Sequence, residues 1–413
     1  MADHGSPNIL VTRLSHLGDC IQTVPMLNAL RDLFPSARIT WIVEPLGARV
    51  LQGLPSLDEL IIIPKRALSA PGAVWRWRDR LRSAAFDIAI DPQGLTKSAI
   101  LGWLAGAPTR IGFARADGRE LSSWLNNVLV RRTADNVVDR YLELLQPLGF
   151  TSRAARFGLH VTQQDRNWAD EFVTHGIPSA HRPLAFDAKR TPSMSDRLAT
   201  GPALLQLVET VSARQSTGGF AVLNTGAGWP SRMWETDRFA KVAQFLALDW
   251  NLASVIAWAG PAERAAAERI VNQSGGAAIL APPTSLAELA ALLQRAWLYV
   301  GTDSGPLHLA VAMGTKCVSL HGTTLAAKSG PYGAGHAAVQ AYYQQGSSFR
   351  RRRAANEAMR AISVEMVCAA CDYVLRELDE VPSARRESNS NMQDAGGEMS
   401  DAGIKMQDAA FRM

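Results

Sequence analysis

The sequence is poor in cysteine and has no long apolar run. Four of its 413 residues are cysteine, a content that suits the reducing cytoplasm. No apolar stretch approaches the ~20 residues that a helix needs to span a bilayer. The first residues, Met1 to Ser6, form a short polar segment that does not resemble a signal peptide. Together these absences predict a cytoplasmic protein.

The four cysteines do not form an evident metal or redox site. Cys20 and Cys317 lie in apolar contexts and are predicted to be small core residues. Cys368 and Cys371 form a C-x-x-C motif, but this motif falls in a late helical stretch and has no second cysteine pair. A structural metal or a redox pair is therefore not favoured there.

Signature motifs of several large enzyme classes are also missing. The sequence has no P-loop, no G-x-G-x-x-G after its first predicted strand, no H-E-x-x-H and no G-x-S-x-G. These absences weigh against NTPases, ordinary dinucleotide dehydrogenases, zinc proteases and serine hydrolases. The net charge of +5 suits anionic small molecules or an anionic membrane surface. Without a recognition motif, it does not predict a nucleic-acid partner.

What is present is a globular composition, 47% hydrophobic and 20% charged, in a chain long enough for two domains or more. Short apolar runs alternate with helical periodicity from a strand at Asn8–Thr12 to residue 148, and again from a strand at Phe220–Asn224. This alternation predicts two doubly wound α/β halves with parallel sheets. Ligands of such folds bind at the carboxyl ends of the strands, so the cleft between the halves is the predicted site.

The predicted domain boundaries follow from the same alternation. An N-terminal domain covers residues 1–179, and residues 180–218 form a linker or insertion. A C-terminal domain covers residues 219–362 and is followed by a helix over residues 363–378. Residues 379–413 are polar and predict a disordered tail.

Periodicity also gives local predictions that a structure can check. It predicts a first helix over Cys20–Leu33 and a later one over Val137–Leu148. Leu159 and Val161 indicate one more strand, and Gly201–Ala213 indicates a helix within the linker.

One loop in the C-terminal half is rich in small residues. Gly301-Thr302-Asp303-Ser304-Gly305 turns a buried strand into a helix. Small residues let a ligand approach the backbone, and the first N–H groups of the helix are free to bind phosphate or pyrophosphate. The alternative is a tight turn in which Asp303 or Ser304 caps the helix. His308, one turn inside the helix, either reaches the phosphate or packs against the sheet.

A second loop follows the first strand of that half. It carries Thr225, Gly226, Gly228 and Ser231 before the cation Arg232. Either it is a surface loop, or its backbone donors and guanidinium form an anion clamp. Both loops should lie at the same edge of one sheet, and together they predict a diphosphate site.

An acidic residue accompanies this predicted diphosphate site. Glu263 follows a third strand of the same half. It either caps its helix or binds ribose hydroxyls.

The N-terminal half offers a carboxylate and a polar loop. Asp19 follows Gly18 after the first strand and is either a helix N-cap or a carboxylate that accepts a proton in the cleft. The loop Asp91–Ser98 is in a position to hold an acceptor molecule. The Arg-rich stretch Trp75–Arg82 is either a solvated helix face or a contact for anionic lipid headgroups.

These motifs resemble those of the ADP-heptose lipopolysaccharide heptosyltransferases, glycosyltransferase family 9. The resemblance rests on Arg13–Asp19, Asp91–Ser98, Gly226–Trp234, Thr302–His308 and Gly330–Gly333, and it spans both halves. The second stretch is most similar to members that act on the Kdo sugar of the inner core.

The sequence also departs from the family pattern. Arg232 stands where those members usually carry Lys. Residues 180–218 are longer than the family's linker, and the tail from Asp379 has no match.

The resemblance implies a GT-B fold, in which two Rossmann-like domains face each other across a central cleft. It implies an inverting, metal-independent transfer of heptose from ADP-heptose to a Kdo–lipid A type acceptor. The enzyme would use no cofactor beyond the ADP-sugar donor and would make peripheral contact with the inner membrane. Alternatives are another donor or acceptor glycan, or an epimerase or sugar-nucleotide-binding protein of the same architecture.

The resemblance also implies roles for individual residues. Asp19 would be the catalytic base, and Arg232 would stabilise the leaving diphosphate. The implied donor-binding residues are Thr225, Gly226, Gly228, Ser231, Glu263, Thr302, Asp303, Ser304, Gly305 and His308. The implied acceptor-binding residues are Ser15, His16, Gly18, Gln93, Gly94 and Lys97.

Overall fold

The computed structural model of the protein describes residues 6–67, 71–115, 120–152, 154–177 and 219–379. The predicted linker with its helix over Gly201–Ala213 lies outside these residues. The predicted tail lies outside them as well, except for its first residue, Asp379.

The N-terminal half is built on one parallel sheet of six strands. The strands are β1 Asn8–Thr12, β2 Arg38–Val43, β3 Glu59–Ile62, β4 Ile88–Ile90, β5 Thr109–Phe113 and β6 Val128–Val130. Their order across the sheet is β3-β2-β1-β4-β5-β6. The helices are α1 Leu17–Leu33, α2 Pro45–Leu51, α3 Pro71–Arg82, α4 Thr96–Leu104, α5 Ser122–Leu125, α6 Val137–Glu143 and α7 Gln163–Glu171.

The C-terminal half repeats this plan. Its strands are β7 Phe220–Asn224, β8 Ala253–Ala257, β9 Ala278–Leu280, β10 Leu298–Thr302, β11 Lys316–Leu320 and β12 Ala337–Val339. They pair in parallel in the order β12-β11-β10-β7-β8-β9. Counted from the first strand of each half, both sheets therefore have the Rossmann strand order. The helices are α8 Thr236–Trp250, α9 Gly260–Gln273, α10 Leu286–Arg295, α11 Gly305–Ala312, α12 Ala326–Ser329, α13 Ser348–Arg352, α14 Glu357–Arg360 and α15 Val364–Asp379.

Continuous apolar runs explain why the central strands are buried on both faces. Every residue of β7 and of β10 is buried, as parallel strands covered by helices require. In the N-terminal sheet, Ile9 and Val11 pack on one face with α1, whereas Leu10 packs on the other with Leu81 of α3 and Leu101 of α4. The first face, with α1, is the one turned towards the C-terminal half, since α1 packs on α11.

Several sequence predictions need correction. Helix α1 begins at Leu17, three residues before the predicted start, and continues through Pro25. The predicted helix Val137–Leu148 ends at Glu143 and is followed by a 3-10 turn. Leu159 and Val161 are buried but do not form a strand, so that prediction is wrong. The short elements α5, β6 and β12 were not predicted.

The predicted core role of Cys20 and Cys317 is confirmed. Cys20, Cys317 and Cys371 are buried, Cys368 is partly buried, and all four are free thiols. Burial raises the pKa of Cys368 to about 12. Among the helices that the structure describes, none is long and apolar enough to cross a membrane.

Candidate active site

The two sheets place four loops at the edges where a ligand would bind. Strand β1 pairs with both β2 and β4, and β7 pairs with both β8 and β10. The chain therefore reverses its direction of winding between β1 and β4, and again between β7 and β10. Crevices at such reversals bind ligands in α/β proteins. The loops that leave these four strands contain most of the predicted site residues.

Arg13, the first residue after β1, is a buried cation. Its Nη2 lies 2.8 Å from Asp19 Oδ1, its Nη1 donates to the carbonyl of Pro92 at 3.0 Å, and its guanidinium lies 5.2 Å from the ring of Tyr141. Burial disfavours the charged form, but the neighbouring acids, Asp19 foremost, hold the pKa of Arg13 above its ordinary value. A permanent positive charge therefore lies behind the Asp19 carboxylate.

Asp19 occupies the first turn of α1. Residue His16 holds the N-cap position, so the alternative that Asp19 is itself the N-cap is wrong. The Asp19 carboxylate accepts the backbone N–H of His16 at 3.0 Å, and 36% of its side chain is exposed. Two contacts thus fix its orientation while part of it faces a cavity.

The cavity beside Asp19 has a volume of about 280 Å³. Of the predicted acceptor residues, Ser15, His16, Gln93 and Lys97 line it. The Nζ of Lys97 lies 3.2 Å from both Ser15 Oγ and Glu44 Oε1. Six cations from both halves also line the cavity: Arg13, Lys97, Arg132, Arg140, Lys328 and Arg352. Such a surface suits an anionic ligand.

Asp91 shapes the loop after β4. Its Oδ1 accepts the backbone N–H groups of Gln93 at 3.2 Å and Gly94 at 3.0 Å. Gly94 has a φ of +63°, a conformation that favours glycine. Burial raises the pKa of Asp91 to about 6. Gly94 thus supports the loop, whereas Gln93 lines the cavity.

Asp303, between β10 and α11, is the buried counterpart in the C-terminal half. Its Oδ2 accepts from Ser329 Oγ at 3.0 Å and lies 3.6 Å from Arg232 Nη1, and its Oδ1 lies 3.4 Å from His308 Nε2. Burial would raise the pKa of Asp303, but the hydrogen bond from His308 and the charge of Arg232 hold it well below its usual value.

Arg232 is fixed from two sides. Its Nη1 donates to the carbonyl of Asp303 at 3.0 Å, and its guanidinium lies 3.9 Å from the ring of Trp229. Burial lowers the pKa of Arg232, and Asp303 opposes that shift. The side chain is 17% exposed, so a cation is presented beside the start of α11.

The prediction that the two C-terminal loops share one edge is confirmed. Thr302 Oγ1 donates to the carbonyl of Gly226 at 3.0 Å. A Cβ on Gly226 would lie 2.6 Å from both carboxylate oxygens of Glu263, so a larger residue there would displace the Glu263 carboxylate. Glu263 Oε2 accepts the N–H of Ala259, the N-cap of α9, at 2.8 Å, which is a capping contact.

Several polar groups of these loops have no protein partner. The buried hydroxyls of Thr225 and Ser231 lack a hydrogen bond within the part of the chain that is described. A Cβ placed on Gly228 would meet no atom within 4 Å apart from those of its chain neighbours. Ser304, not Asp303, is the N-cap of α11, and its side chain makes no capping bond. In the first turn of α11, Pro306 has no N–H, so the N–H groups of Gly305 and Leu307 are the ones available to an anion.

The starts of α1 and α11 meet between the halves. A Cβ on Gly18 would lie 2.6 Å from His308 Cδ2, and one on Gly305 would lie 2.9 Å from Leu17 Cδ2. Gly18 therefore belongs to this helix contact and is not among the residues that line the cavity. The two helix N-termini and both charged side chains, Asp19 and Arg232, converge on the same cleft.

Sequence reasoning missed part of the site. It gave no role to Arg13, although its position directly after β1 was a usable signal. Arg352 belongs to a run of four arginines, Arg350 to Arg353, which was a second signal. His321, with its pKa lowered to about 4 by burial, follows β11 and had no distinctive pattern around it.

Comparisons with known proteins agree with this geometry. The family described as glycosyltransferase family 9 (heptosyltransferase) matches residues 74–359. Lipopolysaccharide heptosyltransferase 1 of Pseudomonas aeruginosa is 25% identical over 333 residues, which cover 79% of this chain and 81% of that protein. Lipopolysaccharide core heptosyltransferase OpsX of Haemophilus influenzae is 22% identical over 334 residues, which cover 79% and 82%.

Solved structures share the fold. A glycosyl transferase of family 9 from Veillonella parvula has a TM-score of 0.67 at 23% identity, with 90% of this chain and 97% of that chain covered. The E. coli heptosyltransferase WaaC with ADP has a TM-score of 0.63 at 19% identity, with 89% of this chain and 99% of that chain covered. The predicted GT-B fold is confirmed, and the transferase interpretation is favoured over the epimerase. Since the family match extends over more than half of the sequence, the chain belongs to glycosyltransferase family 9 and is a glycosyltransferase.

Proposed function

We propose that the protein transfers a heptose from ADP-heptose to a Kdo-type sugar of the lipopolysaccharide inner core, with inversion and without a metal ion. Support comes from the named relatives and from the E. coli WaaC structures with ADP and with ADP-2-deoxy-2-fluoro heptose. The observation that carries the proposal is the position of Asp19. Its carboxylate is held by Arg13 in a cavity otherwise rich in cations, beside the N-terminus of α11.

Asp19 is the general base of the proposed reaction. Its carboxylate takes the proton of the acceptor hydroxyl while that oxygen forms a bond to the anomeric carbon. The bond between the anomeric carbon and the diphosphate oxygen breaks, and ADP leaves with the electron pair. Arg232 and the free N–H groups at the start of α11 stabilise the negative charge that develops on ADP.

The loops after β7 and β10 are the proposed donor site. The unpartnered hydroxyls of Thr225 and Ser231 are free to bind donor oxygens. Glu263 uses Oε2 for its capping bond, which leaves Oε1 for a ribose hydroxyl. No cofactor beyond the sugar nucleotide is needed in this scheme.

The cationic cavity is the proposed acceptor site. A Kdo sugar is a carboxylate, and its lipid carries phosphates, so six cations around the cavity fit both. Lys328 and Arg352 belong to the C-terminal half, which gives that half a part in acceptor binding. We infer that the protein acts in the cytoplasm, at the inner membrane surface.

Replacing Asp19 tests the proposal. In Asp19→Asn, transfer should fall by about 10²- to 10⁴-fold, the usual contribution of a general base, while ADP still raises the melting temperature. Asp237→Asn removes an exposed carboxylate of α8 and should change neither property. Transfer by Asp19→Asn at close to the wild-type rate would show that another group is the base.

The donor is tested by thermal shift with ADP, UDP, GDP and CDP side by side. Stabilisation by ADP alone is expected, because a ligand that binds only the folded state raises its melting temperature. A preference for UDP would instead favour the alternative function, that of a transferase of this family with another donor or acceptor glycan. Absence of any shift would count against a diphosphate site at Thr302–Gly305.

A further inference from the structure

The outer helical layer of the N-terminal half, formed by α3, α4 and α5, exposes large apolar side chains. Trp75 on α3 is 61% exposed, Trp103 on α4 52%, and Trp124 on α5 69%. Leu121, next to α5, is 59% exposed. Large apolar side chains that cluster on a surface indicate a contact with a partner or a membrane.

These residues belong to one face of the half. Leu81 of α3 and Leu101 of α4 pack in the same apolar cluster under the helices. Helix α4 also packs on α5, and the N–H of Leu121 donates to Thr96 Oγ1 at 3.1 Å. The α1 face contacts the C-terminal half, so this layer faces away from the cleft partner.

Cations alternate with the tryptophans in this layer. Helix α3 carries four arginines and one aspartate. The guanidinium of Arg78 lies 5.3 Å from the ring of Trp75, and that of Arg115 lies 3.7 Å from the ring of Trp124. Arg76 and Arg80 are exposed. The layer is therefore both aromatic and positively charged, which suits the headgroup region of an anionic bilayer.

We propose that this layer docks on an anionic lipid surface, with its tryptophans at headgroup level and its arginines against lipid phosphates. Helix α4 links the layer to the acceptor cavity, because Lys97 in its first turn lines that cavity. A docked enzyme would therefore hold the cavity near lipid-linked sugars. That consequence rests on the proposed function, whereas lipid binding itself does not.

Vesicle co-sedimentation tests the surface. Wild-type protein should bind phosphatidylcholine vesicles that contain phosphatidylglycerol, and bind vesicles of phosphatidylcholine alone much more weakly. Arg76→Glu/Arg80→Glu should weaken binding to the anionic vesicles by roughly 10³-fold, because each basic residue near such a surface contributes to affinity and reversal doubles the change. Arg166→Glu/Arg269→Glu, which reverses exposed arginines elsewhere, should bind as wild type.

A second variant separates the aromatic part. Trp75→Ser/Trp103→Ser/Trp124→Ser should weaken binding by roughly tenfold or more, and the loss should persist at high salt, which screens only the charged part. Leu248→Ser/Tyr373→Ser removes exposed apolar residues of the C-terminal half and is the matched control. Circular dichroism and transfer to a water-soluble acceptor should be unchanged in every variant.

The outcomes distinguish this surface from the proposed function. The docking surface would be overturned if wild-type protein did not bind anionic vesicles, or if the tryptophan variant bound them as wild type does. Binding of this layer to a protein partner instead would also overturn it. Vesicle binding without heptose transfer would leave the surface standing and overturn the proposed function.

Discussion

The crevices at β1/β4 and β7/β10 have the same strand order but opposite charge arrangements. In the N-terminal half, buried Arg13 lies behind Asp19, and the carboxylate faces the cleft. In the C-terminal half, buried Asp303 lies behind Arg232, and the guanidinium is the more exposed partner. One half thus presents an anion on a buried cation, and the other presents a cation on a buried anion.

The difference shows what strand order does and does not determine. The order brings the loop ends together in both halves, but the residues in the loops set the sign of the presented charge. A proton acceptor is needed on one side of the reaction and a partner for a leaving diphosphate on the other. Each presented side chain is oriented by a buried counter-charge, so removing the buried partner should leave a charge without compensation.

Removing Arg13 should give the largest change. Arg13→Met leaves Asp91 buried and Asp19 without its ion pair, and the free energy of unfolding should fall by about 3–5 kcal/mol. Urea denaturation at neutral pH measures it. Arg13→Met/Asp91→Asn should recover part of the loss, because the two side chains are coupled. Strictly additive effects would mean that Arg13 does not compensate Asp91.

Arg232 tests the opposite arrangement through the rate. Arg232→Gln should slow transfer by about 10²- to 10³-fold, or ~3 kcal/mol, the effect of removing one donor to a developing anion. Arg232→Lys keeps the charge but loses the flat contact with Trp229, and it should slow transfer by about tenfold. Arg269→Gln, an exposed site on α9, is the control. Equal transfer rates in the Gln and Lys variants would show that the positive charge at this position is not what accelerates transfer.

The buried groups Asp91 and His321, one in each half, should change the stability of the protein in opposite directions as the pH falls. Burial raises the pKa of Asp91 from 3.8 to about 6, so its contribution to stability is present below 3.8 and lost as pH rises through about 6. Burial lowers the pKa of His321 from 6.5 to about 4, so its contribution is present above 6.5 and lost as pH falls through about 4. Each shift is worth ~3 kcal/mol, and the two oppose each other.

The measurement is the urea midpoint as pH falls from 6.5 to about 4. Asp91→Asn keeps an oxygen for the N–H groups of Gln93 and Gly94, and its stability should fall more steeply than that of wild type. The stability of His321→Asn should fall less steeply than that of wild type. If both variants changed the slope of the urea midpoint against pH in the same direction, the opposite pKa shifts assigned to Asp91 and His321 would be contradicted.

The pairing of loops could be predicted from sequence, but the counter-charges could not. Thr302 and Gly226 follow strands of one parallel sheet, and the strand pattern is enough to bring such ends together. The capping bond of Glu263 was one of two predicted alternatives. Burial of Arg13 and Asp303 depends on the packing of both halves, which no local pattern contains.

Short elements and contacts across the cleft are the other features that could not be predicted from the sequence. Strands of three residues such as β6 and β12 are too short to show a period. Lys328 and Arg352 reach the acceptor cavity from the opposite half, over a distance in sequence that gives no signal. Helix α1 was predicted too short because Gly18 and Asp19 are typical of loops.

The smallest predicted effect concerns a single bond between the halves. Tyr332 Oη donates to Asp139 Oδ1 of α6 at 2.7 Å. In Tyr332→Phe the ring, which lies 6.3 Å from that of Phe157, remains, so only the hydrogen bond is lost. The free energy of unfolding should fall by ~1 kcal/mol, and the KM for the acceptor should rise by about fivefold if the bond helps to hold the halves together.

Tyr373→Phe is the matched control, because its hydroxyl bonds to Glu377 within α15 at 2.5 Å and joins no two parts of the protein. It should leave the KM unchanged. A Tyr332→Phe enzyme with lower stability but an unaltered KM would show that the bond stabilises the fold without positioning the halves. In that case the opposed charges at the two crevices are aligned by the other contacts between the halves, those of α1 with α11 and of α7 with α10. Gly18 and Gly305 already allow α1 and α11 to approach closely.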